Sequence, residues 1–213
     1  MEGHSAMLHR RFVLVLPAAL AACASTPPPP REDGPPVGYT HLTQIRLDVS
    51  RIDIEDRMPT PGPTDVGRDM QPSPAQAVRI MGRDRLAAFG TEHRARFGVT
   101  RAQLLRTRGA SSGGLFASDP GEVLNCQLTA RLDILDGNDR RLGFAQASAE
   151  RTRQVESTAA ARRAGAASLL RQTMFDLNTE FEFQIRRALR PYLVDNSQAA
   201  PPAPVTREEL NRT

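Results

Sequence analysis

Five residues, Gly109-Ala110-Ser111-Ser112-Gly113, carry the G-x-S-x-G spacing that places a serine nucleophile on a sharp strand-to-helix turn. That chemistry needs an acid and a histidine later in the chain, and no histidine follows His93. The residues after it, Gly114 to Pro120, have loop composition where a helix is required, so the stretch reads as a loop. Nor can it cradle a nucleotide phosphate, because a P-loop ends in Gly-Lys-Ser/Thr and the chain has no lysine. Asp53, Glu55 and Asp56 are close enough in sequence to pair for acid–base work, but they end an alternating apolar run and read as a solvated strand end. His41 and His93 lie far apart, and neither belongs to an i, i+4 pair. With Cys126 standing alone as well, no metal centre or other cofactor is expected, and no catalytic set assembles.

The chain of 213 residues is 39% hydrophobic, enough for one packed domain of about 100–150 residues with tails. All 28 basic residues are arginine, against 24 acidic ones, for a net charge of +4. Without residues 1–22 the balance is 26 basic to 23 acidic. Residues 71–163 are mildly basic and residues 23–70 mildly acidic. A field this weak does not predict a nucleic-acid partner, though it suits an anionic lipid headgroup or a cell-wall polymer.

The most specific pattern lies at the N-terminus. From Met7 the chain reads Met-Leu-His-Arg10-Arg11, then a short apolar run from Phe12 to Leu20, then Ala21-Ala22-Cys23: a positive segment, an apolar segment and a small-residue cleavage site. Residues Met1 to Ala6 read as an over-extended start, with Met7 as initiator. The apolar run is shorter than the roughly 20 residues a bilayer-spanning helix needs, and Pro27-Pro28-Pro29-Pro30 cannot continue a helix. Leu20-Ala21-Ala22-Cys23 resembles the lipobox of bacterial prolipoproteins. The resemblance covers Met7 to Cys23 and implies cleavage between Ala22 and Cys23, a diacylglyceryl group on the Cys23 thiol, and acylation of the new amine. Two or more acyl chains hold a protein firmly, where one is marginal. Ala24, where similar proteins retained at the inner membrane carry Asp, implies outer-membrane sorting.

The remaining segments divide cleanly. Residues 1–22 read as the lipoprotein signal, residues 23–40 as an acylated, Pro-rich tether favouring polyproline II, residues 41–194 as a single domain and residues 195–213 as a disordered tail. Within the domain, Ile45, Leu47 and Val49 alternate, and Ile52 and Ile54 resume out of phase, predicting a strand with a bulge or kink near Ser50. Ser73-Pro74-Ala75-Gln76 is a capping box with Pro at the first helical position. It should open a helix carrying Val78, Met81, Leu86 and Phe89, with Gly90 as its stop. A strand from Ala95 towards Leu105 and a loop at Gly109 to Gly121 precede the clearest alternation, in which Cys126, Leu128, Ala130, Leu132 and Ile134 form an apolar face. Cys126 should therefore pack as a small hydrophobe, and no internal disulfide is expected. Asp136-Gly137-Asn138-Asp139 turns the chain, and Gly143, Ala145, Ala147 and Ala149 on the return strand leave room for a helix to approach. That helix, from about Ala160 to Leu193, carries Leu170, Met174, Leu177, Phe181, Ile185, Ala188 and Tyr192.

The order β-α-β-β-β-α predicts an α+β fold: a small antiparallel sheet packed by two helices. The pattern also resembles, more weakly, the auxiliary lipoproteins of ABC-type envelope transporters and the lipoproteins that help assemble outer-membrane complexes. That likeness covers Ile45 to Leu193. The expectation is a lipid-anchored, periplasm-facing outer-membrane protein, not an enzyme, that acts as a binding or assembly module in envelope lipid or polymer transport. It would contact the membrane through its acyl chains and an envelope protein as partner. A regulator of a cell-wall enzyme is the alternative, although a tether of about 15 residues at roughly 3.1 Å each reaches only some 45 Å. A hydrolase built on Asp53, Glu55 or Ser111 is the other.

Overall fold

The computed structural model describes residues 38–55, 60–108 and 121–194. The expected signal, most of the tether, the Gly109–Gly113 stretch and the tail lie outside these residues. What is described is α+β. Strands β1 (Ile45–Leu47), β2 (Arg51–Ile54), β3 (Leu86–Ala88), β4 (Arg94–Arg108), β5 (Glu122–Leu135) and β6 (Arg141–Val155) are joined by helices α1 (Pro74–Arg85) and α2 (Ala159–Ala188).

The single kinked strand expected over Ile45 to Ile54 is two strands in two sheets. β1 pairs in parallel with β3, whereas β2 pairs in parallel with β4. The switch occurs at the predicted place: the backbone N–H and the hydroxyl of Ser50 both donate to the His93 carbonyl at 2.7 Å, pulling the chain from one sheet to the other. The main sheet, ordered β2-β4-β5-β6, is therefore mixed rather than wholly antiparallel, with a parallel edge added to an antiparallel β4-β5-β6 meander.

Helix α1 starts as predicted. Ser73 accepts from the Gln76 N–H at 3.3 Å while the Gln76 side chain accepts from the Ser73 N–H at 3.0 Å, a complete capping box. It ends sooner than predicted, at Arg85, because Leu86 to Ala88 leave to form β3, so Leu86 and Phe89 are not helical. Gly90 is not the helix stop. A side chain there would meet the backbone N of Val49 at 2.6 Å, so glycine permits the close crossing of the β1–β2 link.

The β5 alternation holds throughout: Leu124, Cys126, Leu128, Ala130, Leu132 and Ile134 are buried beneath the helices. Each fully buried side chain of Leu or Phe size contributes about 1.5–3 kcal/mol. α2 opens at Thr158, whose hydroxyl accepts from the Ala161 N–H at 3.1 Å. It buries Leu170, Met174, Leu177, Phe181 and Ile185 against the sheet. Ala188 is exposed instead, and Leu189, four residues after Ile185, takes the core position before a 3-10 turn at Arg190–Tyr192. The small residues of β6 do admit the helix end: a side chain at Gly143 would lie 3.0 Å from Leu189 Cδ2. Phe97 of β4 meets Phe181 of α2 edge-on, with ring centres 5.5 Å apart, which joins sheet to helix at the centre of the core.

Candidate functional site

Ala22, Cys23, Asp56 and Ser111 lie outside the described residues. Asp53 and Glu55 are near each other but occupied: Asp53 pairs with Arg51 at 3.4 Å and Arg94 at 3.8 Å, and Glu55 with Arg96 at 3.6 Å. His41 is on the surface, while His93 packs edge-on against Tyr192 at 5.8 Å and holds Ser50 through its carbonyl. Among the described residues, none of these side chains is bonded to another of the set. Among the described residues no group of three or more His, Cys, Asp or Glu could hold a metal ion. No described helix is long and apolar enough to cross a membrane. Cys126 is a free, buried thiol on the core face of β5, and burial pushes its pKa up to about 12, so it remains protonated and inert.

A site does form where three segments distant in sequence converge. A groove of about 550 Å³ lies between the 3-10 turn Val66–Asp69, the outer half of β4 and the first two turns of α2. Asp65 builds its first wall. This buried carboxylate accepts from the Gly67 N–H at 2.9 Å and from the Leu104 N–H at 3.0 Å, fastening the turn to β4. The Arg106 N–H adds a bond to the Thr64 carbonyl at 3.2 Å. Gly67 is required by crowding, since a side chain there would strike Pro74 Cγ at 2.6 Å.

Glu122, at the start of β5, holds the second wall. Its carboxylate accepts from Arg162 Nε at 2.5 Å and Nη2 at 3.0 Å, a two-pronged pair that fixes the guanidinium plane. Arg162 also donates to the Ser157 carbonyl at 3.2 Å, and Arg106 approaches Glu122 at 3.8 Å. Arg163, the next residue of α2, lines the groove with its side chain exposed. Val66, Met70, Ala166 and Ala167 form the apolar lining, and Arg68 stands at the rim with Asp69 at 3.6 Å.

Four arginines thus face the groove against Asp65, Asp69 and Glu122, one positive charge in excess. Asp65 Oδ1 is committed to two backbone donors. Among the described residues, the lining contains no serine, cysteine or histidine. The groove sets guanidinium groups beside an apolar wall. Sequence reading missed it because its arginines come from separate segments. The one local signal is Arg162-Arg163 just inside the Thr158 cap, which puts both in the first turns of α2 and so near the sheet edge.

No family model matches the chain, and no curated relative is similar to it. Several solved structures match in part. One, described as a minor lipoprotein of Acinetobacter baumannii, is 14% identical with a TM-score of 0.37, covering 70% of this chain and 98% of the other. A candidate lipoprotein of Caulobacter crescentus is 9% identical with a TM-score of 0.28, covering 46% of this chain and 65% of its own. A Xanthomonas campestris protein described under DUF330 is 13% identical with a TM-score of 0.30, over 68% and 95% of the two chains. Likenesses this slight carry no functional inference.

Proposed function

We propose that this protein is a bacterial lipoprotein, anchored by acyl chains on Cys23 to the periplasm-facing leaflet of the outer membrane. Its domain is a non-catalytic binding module that handles an anionic amphiphile for an envelope lipid or polymer transport system, alongside an envelope protein partner. The anchor rests on the order of residues from Met7 to Cys23. The binding role rests on the groove, where preset guanidinium groups flank an apolar lining: a phosphate would sit among Arg106, Arg162 and Arg163 while a chain lies along Val66, Met70 and Ala166. Glu122 fixes the geometry of Arg162 in advance and draws Arg106 towards it, which reduces the ordering cost of binding.

Photo-crosslinking of the full-length protein with phosphatidylglycerol and phosphatidylcholine analogues tests this reading. Phosphatidylglycerol should be captured several-fold better, and Arg106→Ala with Arg163→Glu should remove that preference. Equal capture of both lipids, unchanged in the double variant, overturns it.

A further inference from the structure

We propose that β6 is a self-association edge: a second copy of this chain pairs with it, antiparallel and centred on Ser148, to make one continuous eight-stranded sheet. This inference stands apart from the groove, which no residue of β6 lines.

The main sheet has two outer strands, and they differ in kind. β2 has 4 residues, whereas β6 has 15 and, among the described residues, pairs with β5 alone. About half of the backbone N–H and C=O groups of such a strand point away from its neighbour. Long exposed edges are normally blunted by proline, by brevity or by charge along their length. β6 has no proline, and its middle, Leu142 to Ala149, carries no charge at all.

The sequence of β6 is self-complementary about its midpoint. Antiparallel pairing around a two-fold at Ser148 brings residues whose numbers lie equally far from 148 opposite each other, so the whole of Arg141–Val155 is matched. On the open face Gln146 then stands opposite Glu150 of the second copy. On the helix face Gly143 and Ala145 stand opposite Arg153 and Arg151, so the longest side chains meet the smallest. Just beyond the ends, Arg140 faces the exposed Glu156. Three nearby registers fail by charge: centring on Glu150 sets that carboxylate against its own copy, centring on Gln146 sets Arg141 against Arg151, and centring on Ala147 sets Arg141 against Arg153, arrangements that destabilise strand pairs. Centring on Ala149 opposes no like charges but leaves Arg141 and Leu142 beyond the paired strand and loses the contacts of Gln146 with Glu150 and of Arg140 with Glu156.

The helical layer fits the same arrangement. α2 packs over β5 and β6, and its Asp176 accepts from Arg151 Nη2 of β6 at 3.0 Å, which marks the β6-side flank of the helix. Phe183 lies two turns further along that flank and is 55% exposed, although its neighbours in the core are fully covered. With strands about 4.8 Å apart, a helix over β5 and β6 would lie about 10 Å from its copy across the joint, the spacing at which helices pack. Phe183 of each copy would then be covered.

Ser148→Cys in the full-length, membrane-bound protein is the test, using a short bis-maleimide crosslinker. Cys126 is buried, so the wild type supplies the background. A dimer band should appear at Ser148→Cys and when Gln146→Cys and Glu150→Cys chains are expressed together. Phe144→Cys should give none, since Phe144 would lie about 26 Å from its own copy at 3.3 Å per residue. Absence of both expected bands, or equally efficient crosslinking at Phe144→Cys, overturns the proposal.

Discussion

Loss of Arg85 should strip several partners of their donor at once. Arg85 is a buried arginine at the end of α1, 2% exposed, donating to Asn178 Oδ1 at 2.9 Å, to the Thr43 carbonyl and to the Glu182 carboxylate. One guanidinium thereby joins α1, α2 and the segment leading into β1. Arg85→Ala leaves Asn178, itself 8% exposed, and the Thr43 carbonyl without their donor. Each stranded acceptor costs about 1–3 kcal/mol. Glu182 suffers less, because its side chain is one-third exposed and Arg186 already donates to it at 2.7 Å. The expected loss is about 3–5 kcal/mol, the range for breaking a buried charged pair. Urea unfolding of the full chain measures it. If the stranded partner drives the cost, Arg85→Met with Asn178→Leu should be less destabilised than the sum of the single changes. A loss under about 1 kcal/mol for Arg85→Ala, or strict additivity in the double variant, refutes this reasoning.

Other outcomes follow from the same packing. Gly82→Ala places a side-chain carbon 2.5 Å from Phe97 Cε1. The helix gain of about 1 kcal/mol is outweighed by about 1–3 kcal/mol of overpacking, so urea unfolding should show a net loss. Asp65→Ala removes the acceptor of two backbone N–H groups. Amide exchange at Gly67 and Leu104 should accelerate, and phosphatidylglycerol capture should fall with the groove wall. Burial raises Cys126 and Tyr39 to about 12 each. In the unfolded chain these groups ionise near their usual values, so above about pH 9 the unfolded state binds fewer protons and stability falls as pH rises towards 12. The slope per group is about 1.4 kcal/mol per pH unit. Cys126→Ala should flatten the part of the slope that begins near pH 9, as followed by thermal unfolding.

Elements written in local chemistry were legible. The Ser73 capping box, the β5 alternation and the α2 stripe from Leu170 to Ile185 each depend on neighbours in sequence, and each was read in place, whereas the end of that stripe at Ala188 and Tyr192 was not. What failed depended on distant partners. Leu86 continues the apolar spacing of α1, yet β1 captures it as a strand; Ile45 to Ile54 alternates as one strand, yet His93 and Gly90 divide it. Arg85 was a missed clue, because it lies four residues after Met81 on the apolar face, where a lone guanidinium signals buried acceptors. The groove was illegible for the same reason: Arg106, Glu122 and Arg162 meet only after β4, β5 and α2 have packed.

Anchoring through Cys23 is tested most directly by growing cells with an alkyne palmitate analogue and comparing wild type with Cys23→Ala in membrane and soluble fractions. The wild type should be labelled and membrane-bound, while Cys23→Ala should be unlabelled and retain its longer, uncleaved N-terminus. A mature wild-type protein found soluble in the periplasm, with Cys23 unmodified, contradicts the account.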